Sequence, residues 1–235
     1  MIEIKNVTKK YGDKTAINNI NFDIKDGEIF GFIGHNGAGK TTMIKSLVGI
    51  LDFEDGDIFI NNKSIKKDPI ACKLQMAYVP DNPDLYENMT AIDFINFICD
   101  MYETDIETRK ENIEKYSKMF EMENKLNDDI SSFSHGMKQK VALIAALSHN
   151  PKVLIMDEPF VGLDPKAVFD IKSVMKEMTK EGKTIFFSTH ILDVAEKLCD
   201  RVAIIKNGNI VKIGKMKDIK GDSSLEEVFL ELEEK

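Results

Sequence analysis

Gly34-His35-Asn36-Gly37-Ala38-Gly39-Lys40-Thr41-Thr42 fills every fixed position of the pattern G-x-x-x-x-G-K-[ST]. The apolar run Ile29-Phe30-Gly31-Phe32-Ile33 precedes it, and the helix-like Met43-Ile44-Lys45-Ser46-Leu47-Val48 follows. Strand, glycine-rich loop and helix N-terminus in that order make a phosphate cradle. The glycines let backbone N–H groups turn toward oxygens, and the helix dipole favours negative charge. In such a loop Lys40 reaches the β- and γ-phosphates and the Thr41 hydroxyl holds Mg²⁺. A glycine-rich turn without a ligand is the competing reading, and the flanking strand and helix weigh against it.

Upstream of the loop the chain reads as β. Ile2, Ile4 and Val7, then Ile20, Phe22 and Ile24, fall on alternating or nearly alternating positions, with turns at Tyr11-Gly12 and Asp26-Gly27. Tyr11 taken alone is a turn tyrosine; an aromatic just before a phosphate loop can also stack on an adenine. Downstream, the first helix is expected to stop at Gly49, and strands are expected over 56–60 and 76–79. From Thr90 the period changes to a helical one, carried by Ile92, Ile95, Phe97, Ile98 and Met101. A charged helix over about 107–120 follows, then a polar loop at Asp128-Asp129 and a helix from Ser134 to before Asn150-Pro151. The block of about 88–150 therefore reads as a helical insertion in an α/β chain.

The α/β alternation then resumes. Val153-Leu154-Ile155-Met156 has the unbroken apolar character of a strand buried on both faces of a parallel sheet. A helix from Pro165 to Gly182, a strand at 184–187, a helix at 191–199 and a strand at 202–205 follow. Asn207-Gly208 marks a hairpin, and an acidic amphipathic helix begins after Ser223 with Leu225, Val228, Phe229 and Leu232 on one side.

The chain has 235 residues, 43% apolar and 31% charged, with a net charge of −8. That length suits one elaborated domain, 1–235, and the acidic balance without a basic tract argues against a nucleic-acid partner. Cys72, Cys99 and Cys199 show no C-x-x-C spacing and read as buried thiols of a reducing compartment. No signal peptide and no run long enough to span a bilayer is expected. The histidines and acids form no expected transition-metal cluster.

Asp157-Glu158-Pro159 stands at the carboxyl end of the buried strand. Ligands of open α/β sheets bind at that edge, where the phosphate loop also lies. One carboxylate there can hold Mg²⁺ and the next can accept a proton from water. Met alone, two such acids are equally a solvated turn; beside the loop they complete a metal-assisted nucleotide site.

Tyr11, Gly34 to Thr42, Ser134-His135-Gly136-Met137-Lys138-Gln139, Asp157-Glu158-Pro159, Gly162-Leu163-Asp164-Pro165 and Thr189-His190 occur in the order of the ATP-binding-cassette ATPases. Over essentially its whole length the sequence resembles the separate ATP-binding subunit of bacterial transporters. The resemblance implies an α/β P-loop NTPase core with a parallel sheet, an N-terminal antiparallel β-subdomain and the inserted α-helical subdomain. It implies ATP and Mg²⁺, with Tyr11 stacking on adenine and Gly34, His35, Asn36, Gly37, Ala38, Gly39, Lys40, Thr41 and Thr42 around the phosphates. Asp157 supports the metal, Glu158 is the base for the attacking water, and His190 contacts the γ-phosphate. Ser134 and Gly136 cap the ATP of a second subunit, and Asp164 communicates across that interface. Ser134 is itself a good N-cap opening an anion-favouring helix end.

Two positions depart from the family pattern. Asp81 stands where a glutamine is usual, and a carboxylate there is a competent Mg²⁺ ligand. His135 stands where the signature loop has glycine, and points either to solvent or to the partner's phosphate. The resulting expectation is an ATP-hydrolysing homodimer, or dimer with a related ATPase subunit, driving a polytopic membrane permease from the cytoplasmic face of the membrane. The segment with Leu85, Tyr86, Met89 and Phe94 is either the permease's docking groove or core. A regulatory ATP-dependent clamp on a membrane complex would share every motif. A chromosome-type cassette would need a long heptad insertion, which is absent. A small-molecule kinase would leave the Ser134 loop unexplained.

Overall fold

A computed structural model describes the backbone of residues 1–234 and the side chains of residues 1–232. Strands β1 (Ile2–Tyr11) and β2 (Lys14–Ile24) form a hairpin, and β3 (Ile29–Ile33) leads into the loop before helix α1 (Lys40–Leu47). β4 (Asp55–Ile60), β5 (Lys63–Ser64), α2 (Pro69–Lys73) and β6 (Met76–Val79) follow. The helices α3 (Ala91–Met101), α4 (Ile106–Met119) and α5 (His135–Ser148) lie between β6 and β7 (Val153–Asp157). Then come α6 (Pro165–Lys180), β8 (Thr184–Thr189), α7 (Leu192–Leu198), β9 (Arg201–Lys206), β10 (Asn209–Lys215), α8 (Met216–Lys220) and α9 (Leu225–Glu234).

The strands make two sheets. The antiparallel one has the order β2-β1-β4-β5, and the other has the order β10-β9-β3-β8-β7-β6. Every pairing in the second sheet is parallel except the β9–β10 hairpin. Strand β3 shows why a fully apolar run was needed. Phe30 and Phe32 point into a core shared with the antiparallel sheet and α1, while Ile29 and Ile33 point into a second core under α5, α6 and α7. The first core is aromatic at its centre, with Phe22 stacked on Phe30 at 5.2 Å between ring centroids. Burying each such side chain is worth about 2–3 kcal/mol.

Local signals set the element ends. Thr90, Asp105, Ser134 and Asp164 each accept a first-turn N–H of their helix through a side-chain oxygen. Gly49 follows α1 at φ 67°, the left-handed position expected for it. One expected stripe is corrected. On α3 the buried residues are Ala91, Phe94, Ile95 and Cys99, whereas Phe97 and Met101 face outward. The helix is apolar on more than one side, so periodicity alone did not pick the inner face. All three cysteines are buried and free. Among the described residues no helix is long and apolar enough to cross a membrane.

Candidate functional site

The site is built at the carboxyl edge of the parallel strands, where β3 hands over to the loop and α1. Gly39 is the N-cap of α1 and supplies no capping side chain, so the first-turn N–H groups at Lys40, Thr41 and Thr42 have no intrahelical partner. Its φ is 114°, and a Cβ there would stand 2.7 Å from the Ala16 carbonyl oxygen, so no other residue fits. The tip of the β9–β10 hairpin backs the loop. Gly208 donates its N–H to the Ala38 carbonyl at 2.9 Å, and Asn18 donates to the Gly208 carbonyl at 2.8 Å.

A cavity of about 420 Å³ opens in front of this frame. Asn36, Gly37, Gly39, Lys40, Thr41 and Thr42 form its loop side, Tyr11, Lys14, Thr15 and Ala16 its β side, and Asp81 and Glu158 its acidic side. Gly34 and Ala38 are buried behind the loop, and the His35 ring nitrogen Nδ1 lies 2.7 Å from the Asn36 carbonyl. Tyr11 is half exposed, its ring beneath the Lys9 ammonium.

Lys40 and Glu158 bring opposite charges together in the cavity wall. Lys40 is only 6% exposed; its Nζ donates to the carbonyls of Gly34 at 2.7 Å and His35 at 3.3 Å. The same Nζ lies 3.2 Å from Glu158 Oε1. That is ion-pair distance without hydrogen-bond alignment, since the buried Oε1 has no hydrogen-bond donor among the described residues. Glu158 Oε2 accepts from the His190 N–H at 3.2 Å and lies 2.9 Å from His190 Nδ1. Glu158 also holds a left-handed backbone at φ 47°, which aims its carboxylate toward the loop.

Asp157 is buried beside it. Among the described residues its carboxylate has one hydrogen bond, from the Ser188 hydroxyl, and no cationic partner. A buried carboxylate so poorly compensated is costly, and a bound cation is what such a group suits. No group of three or more histidine, cysteine or acidic side chains among the described residues could hold a metal by itself. Mg²⁺ takes one or two carboxylates and completes its shell with phosphate oxygens and water. Thr41, Asp157 and Asp81 fit it. Asp81 is exposed at the cavity wall, yet partial burial, and then the charges of Asp157 and Glu158, hold its carboxyl above its ordinary value. Burial, then Asp157 and Asp81, likewise raise the Tyr78 phenol, whose buried hydroxyl has no hydrogen-bond partner among the described residues.

Ser134, Gly136 and Asp164 do not line this cavity. Ser134 is exposed and accepts the Met137 N–H at 3.3 Å. Asp164 accepts the Ala167 N–H at 2.8 Å and pairs with Lys140 of α5 at 2.9 Å; the backbone bond and then Lys140 lower its carboxyl. His135 is exposed, its ring edge against Gly162, where a Cβ would stand 3.0 Å from His135 Cδ2.

Several neighbours escaped sequence reasoning. Lys14, Thr15, Ala16, Asn207 and Gly208 reach the cavity only through the packing of two hairpins, and Ser188, buried outside it, meets Asp157 only through the β7–β8 register. The Asn207-Gly208 turn signal was visible, its docking on the loop was not. On another face Leu85 and Phe94 are buried, Met89 is half-buried, and Tyr86 is 58% exposed, edge-on to Phe97 at 5.7 Å. Beside them lies a cavity of about 180 Å³ with Tyr102, His149 and three α5 alanines in its wall. The segment is thus partly core and partly surface.

Comparison with known proteins bears on this geometry. A family model described as ABC transporter matches residues 17–161. The ABC-type transporter ATP-binding protein EcsA of Bacillus subtilis is 35% identical over 99% of this chain and 96% of its own length. An uncharacterized ABC transporter ATP-binding protein of the same organism, YhcH, is 36% identical over 93% of this chain and 71% of its own. The solved structure of an ATP binding subunit of an ABC transporter matches with a TM-score of 0.96 at 33% identity, over 99% of each chain. A dimeric post-hydrolysis state of an ATP-binding cassette bound to ADP and Pi matches with a TM-score of 0.83 at 27% identity, over 92% of this chain and 99% of that one.

Proposed function

The chain belongs to the ABC transporter family as an ATP-binding subunit, and on that premise we propose that it hydrolyses ATP in a two-site dimer that drives a separate membrane permease. The observation carrying this reading is the meeting of Lys40 and Glu158 within 3.2 Å at one wall of the cavity, loop cation against strand-end acid.

Position supports the following roles. The loop N–H groups and Lys40 take the β- and γ-phosphate oxygens, and Tyr11 at the opposite wall offers its ring to the base. Thr41 and Asp157, with Asp81 at the wall, would hold Mg²⁺, which when bound would neutralise phosphate charge. Glu158 orients the attacking water and accepts its proton, and His190 holds the Glu158 carboxylate from the far side. With Lys40 drawn to phosphate, Glu158 Oε1 loses its ion-pair neighbour and turns to water. Ser134 and Gly136 stand outside this cavity, and the family resemblance assigns them to the ATP of a second copy, or of a related ATPase subunit, with the α5 N-terminus presented to its γ-phosphate. The exposed Tyr86, Phe97 and Met101 offer the permease a docking face, which makes the subunit peripheral to the cytoplasmic side of the membrane.

Glu158→Gln tests the reading. Glutamine keeps the size of the side chain and cannot accept the proton, so the variant should bind Mg·ATP, fail to hydrolyse it and accumulate as a dimer seen by light scattering. Ser134→Arg added to it should leave ATP binding and abolish the dimer. A Glu158→Gln protein that binds ATP tightly and stays monomeric at high concentration refutes the shared site.

A further inference from the structure

We infer that Ser188 is a positioning residue for the acid pair, aiming Asp157 at the metal and fixing the turn that carries Glu158. The inference rests on the nucleotide-site reading above. In the parallel register of β7 and β8, Ser188 stands directly beside Asp157. Side chains paired in this way leave the sheet on the same face. The Ser188 hydroxyl donates to Asp157 Oδ1, and its lone pair accepts the Glu158 N–H at 3.1 Å. One buried oxygen therefore touches both acids, the first through its carboxylate and the second through its backbone.

A serine in a strand can satisfy its hydroxyl on any nearby carbonyl, and this one does not. Ser188 is 0% and Asp157 1% exposed, so bulk water does not stand in for either partner. Among the described residues Asp157 has no second hydrogen-bond donor. The adjacent Thr189 leaves the strand on the opposite face, where its hydroxyl oxygen accepts the Ile191 N–H at 3.0 Å. Glu158 is a non-glycine residue at φ 47°, a conformation that persists only where its surroundings hold it. Ser188 holds its N–H, as His190 holds its side chain. The bond to Asp157 leaves the other carboxylate oxygen for the cation, the arrangement by which outer-shell partners orient a metal ligand.

The test measures binding of a fluorescent ATP analogue with EDTA and across a Mg²⁺ titration. Ser188→Ala should bind with EDTA within about twofold of wild type, while the Mg²⁺ concentration that half-restores tight binding rises about 10- to 100-fold. Ser188→Thr, which keeps the hydroxyl, should titrate like wild type. In an Asp157→Asn background Ser188→Ala should change the Mg²⁺ response no further. An unchanged midpoint in Ser188→Ala, an equal loss in Ser188→Thr, or an additive effect in the double variant each overturns the inference while the nucleotide-site reading stands. A wild-type chain that binds no nucleotide in either condition overturns both.

Discussion

Lys40 carries a charge almost wholly inside the protein, and its neighbours explain how. Two carbonyls and one carboxylate surround the ammonium, so its solvation is replaced by fixed oxygens rather than lost. Lys40→Ala should therefore abolish hydrolysis and weaken nucleotide binding at least about tenfold, a charged hydrogen bond being worth about 1.5–3 kcal/mol. Isothermal titration and a phosphate-release assay check it, and near-normal turnover would remove Lys40 from the site. Gly39→Ala adds a methyl 2.7 Å from the Ala16 oxygen at a φ of 114°, and should lower stability by about 1–3 kcal/mol in urea unfolding together with nucleotide affinity. Lys40, Glu158 and the loop glycines were legible in the sequence because each is a residue type at a fixed spacing along one segment. Ser188 was not. Its meaning lies in a strand pairing across 30 residues of chain, and an isolated serine in an apolar strand carries no spacing signal.

Among the elements, α6 and α5 show how caps tie the site to the helices around it. Asp164 caps α6 and reaches Lys140 on α5, so the position that family resemblance marks for communication between subunits also has work inside one chain. Asp164→Ala should cost about 0.5–2 kcal/mol from the lost cap, with little added by the half-exposed ion pair. Asp164→Asn keeps the cap and should recover most of it in thermal unfolding. At the other end of α5, burial pushes the His149 imidazole down to about 4 from its ordinary 6.5, its ring stacked on Tyr102 at 3.7 Å. The unfolded chain therefore binds the proton that the folded chain refuses. The neutral ring's contribution is complete above pH 6.5 and falls away as the pH drops toward about 4. At about 1.4 kcal/mol per unit this loss approaches roughly 3 kcal/mol. His149→Gln should flatten that acid limb of the melting temperature; an unchanged limb would place the sensitivity elsewhere. Element positions were legible wherever caps and periods agreed, as for α4, α5 and α6. The inner face of α3 was not, because Phe97 and Met101 carry apolar side chains onto the exposed face that also holds Asp93 and Asp100, and α2 and α8 are too short to show a period.

Across the whole molecule the parallel sheet is centred on β3, and neither of its neighbours is near it in sequence. β8 and β9 flank it, so the strand that carries the phosphate loop is completed from the last quarter of the chain. Sheet order of this kind could not be read from the segments themselves, because every apolar strand was an equal candidate for the middle. High contact order slows folding, and refolding should be slow relative to helical proteins of this size. Recovery of nucleotide binding should coincide with amide protection in β8 and β9, which pulsed hydrogen exchange would follow. Binding that returned before those strands were protected would mean that the loop stands without its sheet. On the ribosome the same order becomes a matter of time. Roughly 150 residues separate β3 from β8, which at about 5–20 residues per second is about 10–30 s of synthesis. For that interval the phosphate loop has been made and has no floor, and the Gly208 turn that backs Ala38 arrives later still. A newborn chain therefore cannot capture nucleotide until β8, β9 and the Gly208 turn have emerged, and β3 spends the wait with both edges bare.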